Sequence, residues 1–479
     1  MKFLNVTALI ILLNVPGSYP LAYSNSSGKS TNSKQSCAPY IQDWINMMGG
    51  GLDDPYWSQA SDLHPAAAIS SNGRYVVFES FTKLTKTESS IDYGTGIFIF
   101  DRETRTTTLV SQLPNGSLPN GSSYSPSVSM DGRFVAFESD ATNLVLGDTN
   151  QWRDVFVLDR AIGVIERISV DSKGAEANGW SRSAAISADG RFVAYQSLAN
   201  NLVEDYLDLV PDVFLRDRQT GITLQLSVHS SSMNAKASGS PSISADGHYI
   251  AFQSLELEED LHGNFDAQPQ IILYDRETGT TTGVPSAKYP GLGANGCSPI
   301  ISQDGRYLAF ASPYPGIVKG DFNQAMDIFL YDRLTNSTIL ASRNSRGKKG
   351  NNGSFLPSLS ADGRFLAFES LARNLVRHDR NREFDVFVRD IQLKSTWRAS
   401  INQDGTEGSP YCDTITSVWF CRGKESRLTS NQAISGDGRL IVFVSPADFK
   451  SPEASSSSGM PTIYVKDLMR GEITRVPSH

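Results

Sequence analysis

SPSVSMDGRFVAFESDATNLVLGDTNQWRDVFVLDRAIGVIERISV, residues 125–170, is the stretch that decides the fold. It holds a turn pair, Asp131-Gly132, followed by two apolar runs that a polar loop separates. The turn pair recurs at Asn72-Gly73, Asp131-Gly132, Asp189-Gly190, Asp246-Gly247, Asp304-Gly305, Asp362-Gly363 and Asp437-Gly438. Successive spacings are 59, 58, 57, 58, 58 and 75 residues. A fixed period of this length is the signature of a repeat architecture, here with seven copies.

Each repeat predicts a four-stranded antiparallel meander. The small residues before Asp131 form a short first strand, and Asp131-Gly132 predicts a type I′ hairpin turn. Phe134–Phe137 and Val155–Leu158 are uninterrupted apolar runs, which indicates strands buried on both faces. Val164–Val170 mixes charged and apolar residues, as suits an edge strand that must not pair with other chains.

Buried faces on the two middle strands require each sheet to lie between copies of itself. Radial packing of seven such sheets is a β-propeller. We therefore predict an all-β protein, a single seven-bladed β-propeller of four-stranded antiparallel blades. The first strands carry Ser, Ala and Pro because they crowd the axis, as in PSVS, SAAIS, PSIS and PSLS.

The repeats resemble the TolB-type, WD-like β-propeller repeat, in the form SxSADGRFVAFES…NLV…DTN…DVFVxDR. The match covers residues 66–479. The resemblance implies the fold but not the function, because propellers host binding, hydrolysis and lyase chemistry alike. TolB itself carries an α/β domain before its propeller, and about forty residues here cannot supply one.

The N-terminus reads as an export signal. Met1-Lys2 and the apolar run Phe3–Val15 precede small residues, which predicts a signal peptide over 1–22, with an uncleaved anchor as the alternative. Residues 23–61 form an N-terminal extension, polar and of low complexity in its first part, and 62–479 form the propeller. We expect a secreted, extracellular monomer without a membrane-inserted segment.

Four cysteines follow the signal. An even number in an oxidising compartment indicates disulfides. Cys412 and Cys421 lie nine positions apart in the one oversized connection, so we predict that they form a disulfide. Cys37 and Cys297 would then join the extension to the ring; four free buried thiols are the alternative. Sequons for N-glycosylation occur at Asn25, Asn115, Asn120, Asn336 and Asn352.

The charge balance excludes some partners. The net charge is −8, and no run of basic residues exceeds Lys348-Lys349. Proteins that bind nucleic acids or anionic membranes need a positively charged surface, so neither is expected as a partner. An extracellular protein or a glycan is expected instead.

The loops between the second and third strands carry the recurring polar constellation. Three oxygen side chains in one loop can converge on Ca²⁺, with carbonyls and waters completing its shell. The alternative is that Asp and Asn close Asx turns on their own backbone. The predicted ligands are Asp148, Asn150 and Asp154 in blade two; Asp321, Asn323 and Asp327 in blade five; and Asp379, Asn381 and Asp385 in blade six, with a looser Asp205, Asp208 and Asp212 in blade three.

Signatures of familiar enzymes are missing from the sequence. The six histidines form no His-Glu-x-x-His pair, and there is no Gly-x-Ser-x-Gly elbow. We therefore expect no catalytic residues and no organic cofactor, and favour a secreted binding or scaffold propeller whose long-loop face engages its partner. The alternative is a propeller lyase or glycosidase with carboxylates at the axial mouth, which requires Asp and Glu from different blades to converge there.

Overall fold

The structure is a computed structural model. It describes residues 65–477 except 88–89, 205–209, 228–236, 260–264, 286–295, 322–324, 406–411, 416–417, 422–429, 431, 446–448 and 450–461. The predicted signal peptide, the extension, Cys37 and Asn25 lie outside these residues.

The described strands group by blade. Blade one contains β1 (Ala67–Ile69), β2 (Tyr75–Thr87), β3 (Ser90–Asp101) and β4 (Thr106–Leu109); blade two contains β5 (Ser123–Val128), β6 (Phe134–Ser139), β7 (Asp154–Asp159) and β8 (Val164–Arg167). Blade three contains β9 (Ser181–Ile186), β10 (Phe192–Ser197), β11 (Asp212–Asp217) and β12 (Ile222–Gln225); blade four contains β13 (Ala237–Ile243), β14 (Tyr249–Glu259), β15 (Phe265–Asp275) and β16 (Thr280–Gly283). Blade five contains β17 (Cys297–Ile301), β18 (Tyr307–Ser312), β19 (Asp327–Asp332) and β20 (Ser337–Leu340); blade six contains β21 (Ser354–Leu359), β22 (Phe365–Ser370), β23 (Asp385–Asp390) and β24 (Ser395–Arg398). A hairpin of β25 (Cys412–Ile415) and β26 (Val418–Cys421) precedes blade seven, which contains β27 (Leu440–Ser445), β28 (Thr462–Asp467) and β29 (Ile473–Arg475).

Each blade is an antiparallel meander whose strands, called a to d from the axis outward, follow in chain order. Blades one to six have four strands each. In blade seven, strands b to d are β27 to β29, and a single bridge between Ile434 and Ile441 stands in the place of strand a. The prediction of a seven-bladed β-propeller is confirmed.

The middle strands are buried on both faces, as their apolar runs predict. Every residue of β10 and β23 is buried. Across strands b and c, an aromatic pair stacks at ring-centroid distances of 5.6–5.9 Å in six blades. Phe137 and Phe156 in blade two are one such pair, and both side chains are inaccessible to solvent. Strand d lies at the rim, where β16 is exposed throughout.

Hydrogen bonds around the axis hold the ring together. The a–b turns form a closed cycle in which a backbone N–H of each blade donates to a carbonyl of the next, at 2.8–3.2 Å. The cycle closes where Gly436 N of blade seven donates to Ser71 O of blade one. Ser71 Oγ also bonds Gln303 Oε1 of blade five at 3.0 Å, across the axis. The face that carries these tight turns is therefore closed at its centre.

The Asp-Gly turns differ in type from the prediction. A type I′ turn needs positive φ at both central residues, but Asp131 has a negative φ and Gly132 has φ +77°. Gly132 N donates to Ser129 O, so the turn is a type I turn followed by a left-handed glycine. Asp131 Oδ1 accepts from Ser129 Oγ and Arg133 N, which fixes the type I geometry and explains why the type I′ prediction is wrong.

The turn glycine also locks neighbouring blades together. A Cβ on Gly132 would overlap the ring of Tyr75 in the preceding blade. Arg160 of blade two covers the same ring at 4.5 Å from its centroid and donates to Gly132 O. Asp159 caps its own turn by accepting from Ala161 N and pairs with Arg133 at 2.7 Å. The repeated Asp-Arg pairs are therefore structural.

Two of the b–c connections are not loops. In blade one, β2 and β3 pair from Tyr75–Asp101 to Thr87–Ser90, and in blade four β14 and β15 pair as far as Glu259–Phe265. Both hairpins extend beyond the blade on the face opposite the tight turns. The described residues include no helix long and apolar enough to cross a membrane.

Candidate functional site on the loop face

The b–c and d–a connections make up one face of the ring, the loop face. The tight-turn face repeats one turn seven times and is closed at its centre, whereas each blade contributes different side chains to the loop face. The candidate site is therefore on the loop face.

Buried carboxylates stand beside the axial mouth of this face. Glu79, the fifth residue of β2, accepts from Ser125 N of blade two at 2.7 Å and from Ala66 N at 3.2 Å. Glu138, at the same position of β6, accepts from Ser183 N of blade three at 2.7 Å. Ser125 and Ser183 have positive φ, at a register shift in strand a that leaves their N–H without a strand partner. Each carboxylate therefore caps an irregularity in the next blade.

Glu79 differs from Glu138 in its electrostatics. Burial and then the nearby charge of Glu138 raise the pKa of Glu79 to about 7, against the hydrogen bonds from Ser125 and Ala66. Glu138 faces a cation, since Arg153 Nη1 lies 3.6 Å from its Oε2. Carboxylates of neighbouring blades thus converge, but the two side chains are buried and hydrogen-bonded to backbone.

Half-buried aromatic side chains accompany arginines at the same level. The Arg153 guanidinium lies 4.2 Å from the centroid of Tyr124 and forms two hydrogen bonds with Asp140. In blade three, Arg182 lies 4.3 Å from the centroid of Trp180. Such pairs combine apolar area with directed donors, as binding surfaces do.

In blade two, the side chains predicted to bind calcium surround an arginine. Arg167, the last residue of β8, brings Nη1 to 3.3 Å from Asp148 Oδ1 and 3.6 Å from Asp154 Oδ2. The same atom lies 2.9 Å from Glu176 Oε2. Asn150 Nδ2 donates to Asp154 Oδ2, while its Oδ1 accepts from Trp152 N in an Asx turn. Burial, and then the charge of Asp154, raise the pKa of Asp148 to about 6.

Blade six repeats this arrangement. Arg398 Nη1 lies 2.9 Å from Asp385 Oδ2 and 3.6 Å from Asp379 Oδ1. Asn381 Nδ2 donates to Asp385 Oδ2 at 2.9 Å, as its counterpart does in blade two. As these residues stand, the arginine supplies the positive charge between the carboxylates. They do not fit a calcium ion unless the arginine moves away.

Blade five lacks the arginine. Leu340 occupies the position of Arg167, and Lys349 Nζ lies 3.9 Å from Asp321 Oδ1. Asp321 and Asp327 are both buried, and Asp327 Oδ1 accepts from Ser342 Oγ. These two carboxylates fit a cation better than those of blades two and six. Asn323 lies outside the described residues.

Blade three replaces the arginine with an amide. Gln225 Nε2 donates to Asp212 Oδ2 at 3.0 Å, and Ser227 Oγ donates to Asp212 Oδ1. Asp205 and Asp208 lie outside the described residues. In the part of the chain that the structure describes, no three His, Cys, Asp or Glu side chains group as a metal site would require. The calcium prediction stays a prediction.

The cysteine pair lies where its spacing predicts. In the hairpin before blade seven, Cys412 and Cys421 are directly opposite residues of β25 and β26. Their side chains lie outside what the structure describes. Cys297 is buried at the start of β17. Both disulfides stay predictions.

The described sequons are on the surface. Asn115, Asn120 and Asn352 are exposed in d–a loops, and Asn336 is exposed in a c–d turn. Asn120 forms two hydrogen bonds with Thr142, so a glycan there would have to replace the one that its Nδ2 donates. Use of the sequons stays a prediction.

Sequence reasoning missed the blade-one hairpin and the aromatic residues on it. Phe81 is 57% exposed and Tyr93 69% exposed. Phe81 pairs with Thr95 and Lys83 with Tyr93, so both aromatic side chains project from the same side of the hairpin. The β-branched residues Thr82, Thr85 and Thr87 were the available signal, because β-branched side chains favour strands.

Comparison with known proteins gives structural similarity alone. No protein-family model and no curated protein matches the chain. Similar solved structures include a putative TolB from Agrobacterium tumefaciens (16% identity, 67% of this chain and 87% of that chain, TM-score 0.35). Others are an acylaminoacyl peptidase (10%, 89% and 54%, TM-score 0.47) and a Mycobacterium tuberculosis puromycin-hydrolyzing peptidase (12%, 87% and 54%, TM-score 0.49). The chain spans about half the length of these two peptidases, and such identities carry no activity over to it. From its own repeats and blades, the chain is a seven-bladed β-propeller, and its repeats resemble the TolB-type, WD-like repeat.

Proposed function

We propose that this protein is a secreted, non-enzymatic binding propeller whose loop face engages an extracellular protein or glycan. The observation that carries the proposal is the blade-one hairpin, which presents Phe81 and Tyr93 to solvent beyond the body of the blade. Aromatic side chains bury large area at low entropic cost, which is why they dominate the centres of binding interfaces. The half-buried Tyr124 and Trp180, each beside an arginine, extend the same face toward the axis.

The enzymatic alternative needs an accessible carboxylic acid beside a substrate cavity. Glu79 and Glu138 do converge near the mouth, but they are 5% and 3% exposed and accept hydrogen bonds from strand-a backbone. A general acid must reach its substrate within hydrogen-bond distance. This burial favours binding over catalysis.

The test is affinity capture from the native extracellular fluid. Phe81→Ser with Tyr93→Ser should abolish capture of the partner, which mass spectrometry and a glycan array would identify. The matched control is Leu334→Ser with Met469→Ser, which removes two exposed apolar side chains (67% and 82%) from tight turns on the opposite face. If the control loses the partner and the hairpin variant keeps it, the loop-face proposal is wrong.

Calcium remains part of the proposal for blade five. Asp321 and Asp327 would hold it there, and the ion would supply the charge that Arg167 and Arg398 supply elsewhere. Ca²⁺ bound to the folded state alone should raise the melting temperature, by an amount that grows with concentration. Asp321→Asn should remove that rise and Asp148→Asn should not. An unchanged wild-type melt with Ca²⁺ and with chelator would contradict calcium binding.

A further inference from the structure

A cavity of about 610 Å³ opens on the rim between blades five and six, apart from the axial mouth. Its lining includes five basic side chains and no carboxylate: Lys319, Arg343, Arg346, Arg389 and Lys394. In the part of the chain that the structure describes, none of the five forms an ion pair. A positive groove of this kind is unexpected in a chain whose net charge is −8.

Burial and hydrogen bonds to the surrounding chain hold the groove arginines in place. Arg389 is 6% exposed and its Nη1 donates to Arg343 O and Thr396 Oγ1. Arg343 Nε is buried and has no hydrogen-bond partner. Burial and then the charge of Arg343 lower the pKa of Arg389. Two guanidinium groups thus stand together partly desolvated, which is costly unless an anion offsets their charge.

The groove between blades two and three has the same construction and provides an internal comparison. There Arg216 Nη1 donates to Asp171 O and Thr223 Oγ1, as Arg389 Nη1 donates to Asn344 O and Thr396 Oγ1. The bridge between Val170 and Glu176 corresponds to the one between Arg343 and Lys349. The two grooves can therefore be compared position by position.

Acidic residues balance the charge in one groove and are replaced in the other. Between blades two and three, Arg218 pairs with Glu166 at 2.9 Å, and Arg167 pairs with Glu176 at 2.9 Å. At the equivalent positions between blades five and six stand Ile391, Ile339, Leu340 and Lys349. Val170 is replaced by Arg343, and Gly221 by Lys394. Only the second groove has excess positive charge.

We propose that the groove between blades five and six binds a small polyanion that carries sulfate or phosphate esters. Guanidinium forks match the oxygens of both esters, and several cations on one wall select a ligand with several such groups. Val318, Ile339 and Ile391 add apolar area against which a sugar-sized body can pack. The volume suits a ligand of about that size. The proposal does not depend on the partner of the loop face.

Isothermal titration of the full chain tests the proposal with sucrose octasulfate and inositol hexakisphosphate, at about 50 mM salt and at higher salt. We expect one site per chain, weakened by salt, and no binding of the neutral sugar raffinose. The probe that binds more tightly shows whether the groove prefers sulfate or phosphate esters. The double variant Arg343→Val with Lys394→Gly carries the blade-two and blade-three residues and should lower the affinity at least about tenfold.

Control variants keep the test decisive. Arg346 is exposed, so the Arg346→Ala variant should fold and should bind the polyanion more weakly than the wild type. It therefore tests the groove even if the double variant does not fold. Lys173→Ala removes the equivalent charge from the other groove and should leave the affinity unchanged. The proposal is overturned if the wild type binds neither polyanion at low salt. It is also overturned if Arg343→Val with Lys394→Gly and Arg346→Ala both bind as tightly as the wild type, or if raffinose binds equally.

Discussion

Replacing Glu79 with glutamine should stabilise the protein at alkaline pH and not at acid pH. Glu79 is 5% exposed, and burial is the largest reason why its pKa lies near 7 rather than 4.5. The folded state therefore holds a proton that the unfolded state releases. The stability that this proton contributes is fully present below about pH 4.5 and is lost as the pH rises to about 7. Blades three and four already carry Gln196 and Gln253 at this position.

The magnitude follows from the shift. One pKa unit is worth about 1.4 kcal/mol, so ionised Glu79 costs the folded protein about 3 kcal/mol above pH 7. The glutamine oxygen can still accept the hydrogen bond from Ser125 N, but its NH₂ group cannot accept the one from Ala66 N. Losing that hydrogen bond costs the folded protein about 1 kcal/mol. The expected net gain at pH 8 is about 2 kcal/mol. For a domain of roughly 400 residues this raises the melting temperature by about 2 °C.

Thermal and urea melts of the wild type and Glu79→Gln, at pH 5 and pH 8, measure the effect. Glu138→Gln is the matched control: its carboxylate faces Arg153, so losing the charge should bring no gain at pH 8. The reasoning fails if Glu79→Gln is no more stable than the wild type at pH 8. It fails equally if the gain is the same at both pH values, because ionisation would then not be the cause.

Three further predictions concern packing, charge and redox state. Gly132→Ala and Gly163→Ala both place a side chain at positive φ (77° and 68°), but only the first meets a neighbouring ring, so it should cost about 1–3 kcal/mol more; equal losses in melts would contradict the interlock with Tyr75. Arg167→Met leaves Asp148 and Asp154 buried without their cation and should cost about 3 kcal/mol at pH 7. Arg133→Met should cost under about 1 kcal/mol, because Arg133 is half exposed and Asp159 keeps the hydrogen bond from Ala161 N. Cys412 and Cys421 should resist alkylation until reduced, and mass mapping that finds both thiols reactive without reductant would refute the bridge.

The fold could be predicted from the sequence because each blade repeats the same local sequence pattern. Six Asp-Gly pairs and Asn72-Gly73 mark seven turns, and every one of the seven glycines does have positive φ. The turn type escaped prediction since the Ser129 hydroxyl, two residues before Asp131, selects it. The blade-one hairpin escaped because its polar residues read as a loop, although β2 continues to Thr87.

The site was less predictable because its contacts join residues far apart in the chain. Asp148 and Asp154 form one loop, as expected, but the arginine between them lies on strand d, at position 167. The groove cations span Lys319 to Lys394, and of the five just Arg343 and Arg346 are near neighbours in the sequence. Only the packing of blade five against blade six brings them together.

Comparison between blades supplies what local reading cannot. In a ring of near-identical sheets, a position that serves the fold is filled alike in most blades, as the stacked aromatic pair is in six. A position that does not serve the fold can differ between blades. Where such a position gains a charge, the charge needs an explanation other than folding. Arg343 in place of Val170 and Lys394 in place of Gly221 add positive charge to a groove whose backbone bridge is the same in both pairs of blades. Unbalanced charge on a conserved framework costs stability and gives the fold nothing, so the departures from the repeat are where a ligand should be sought.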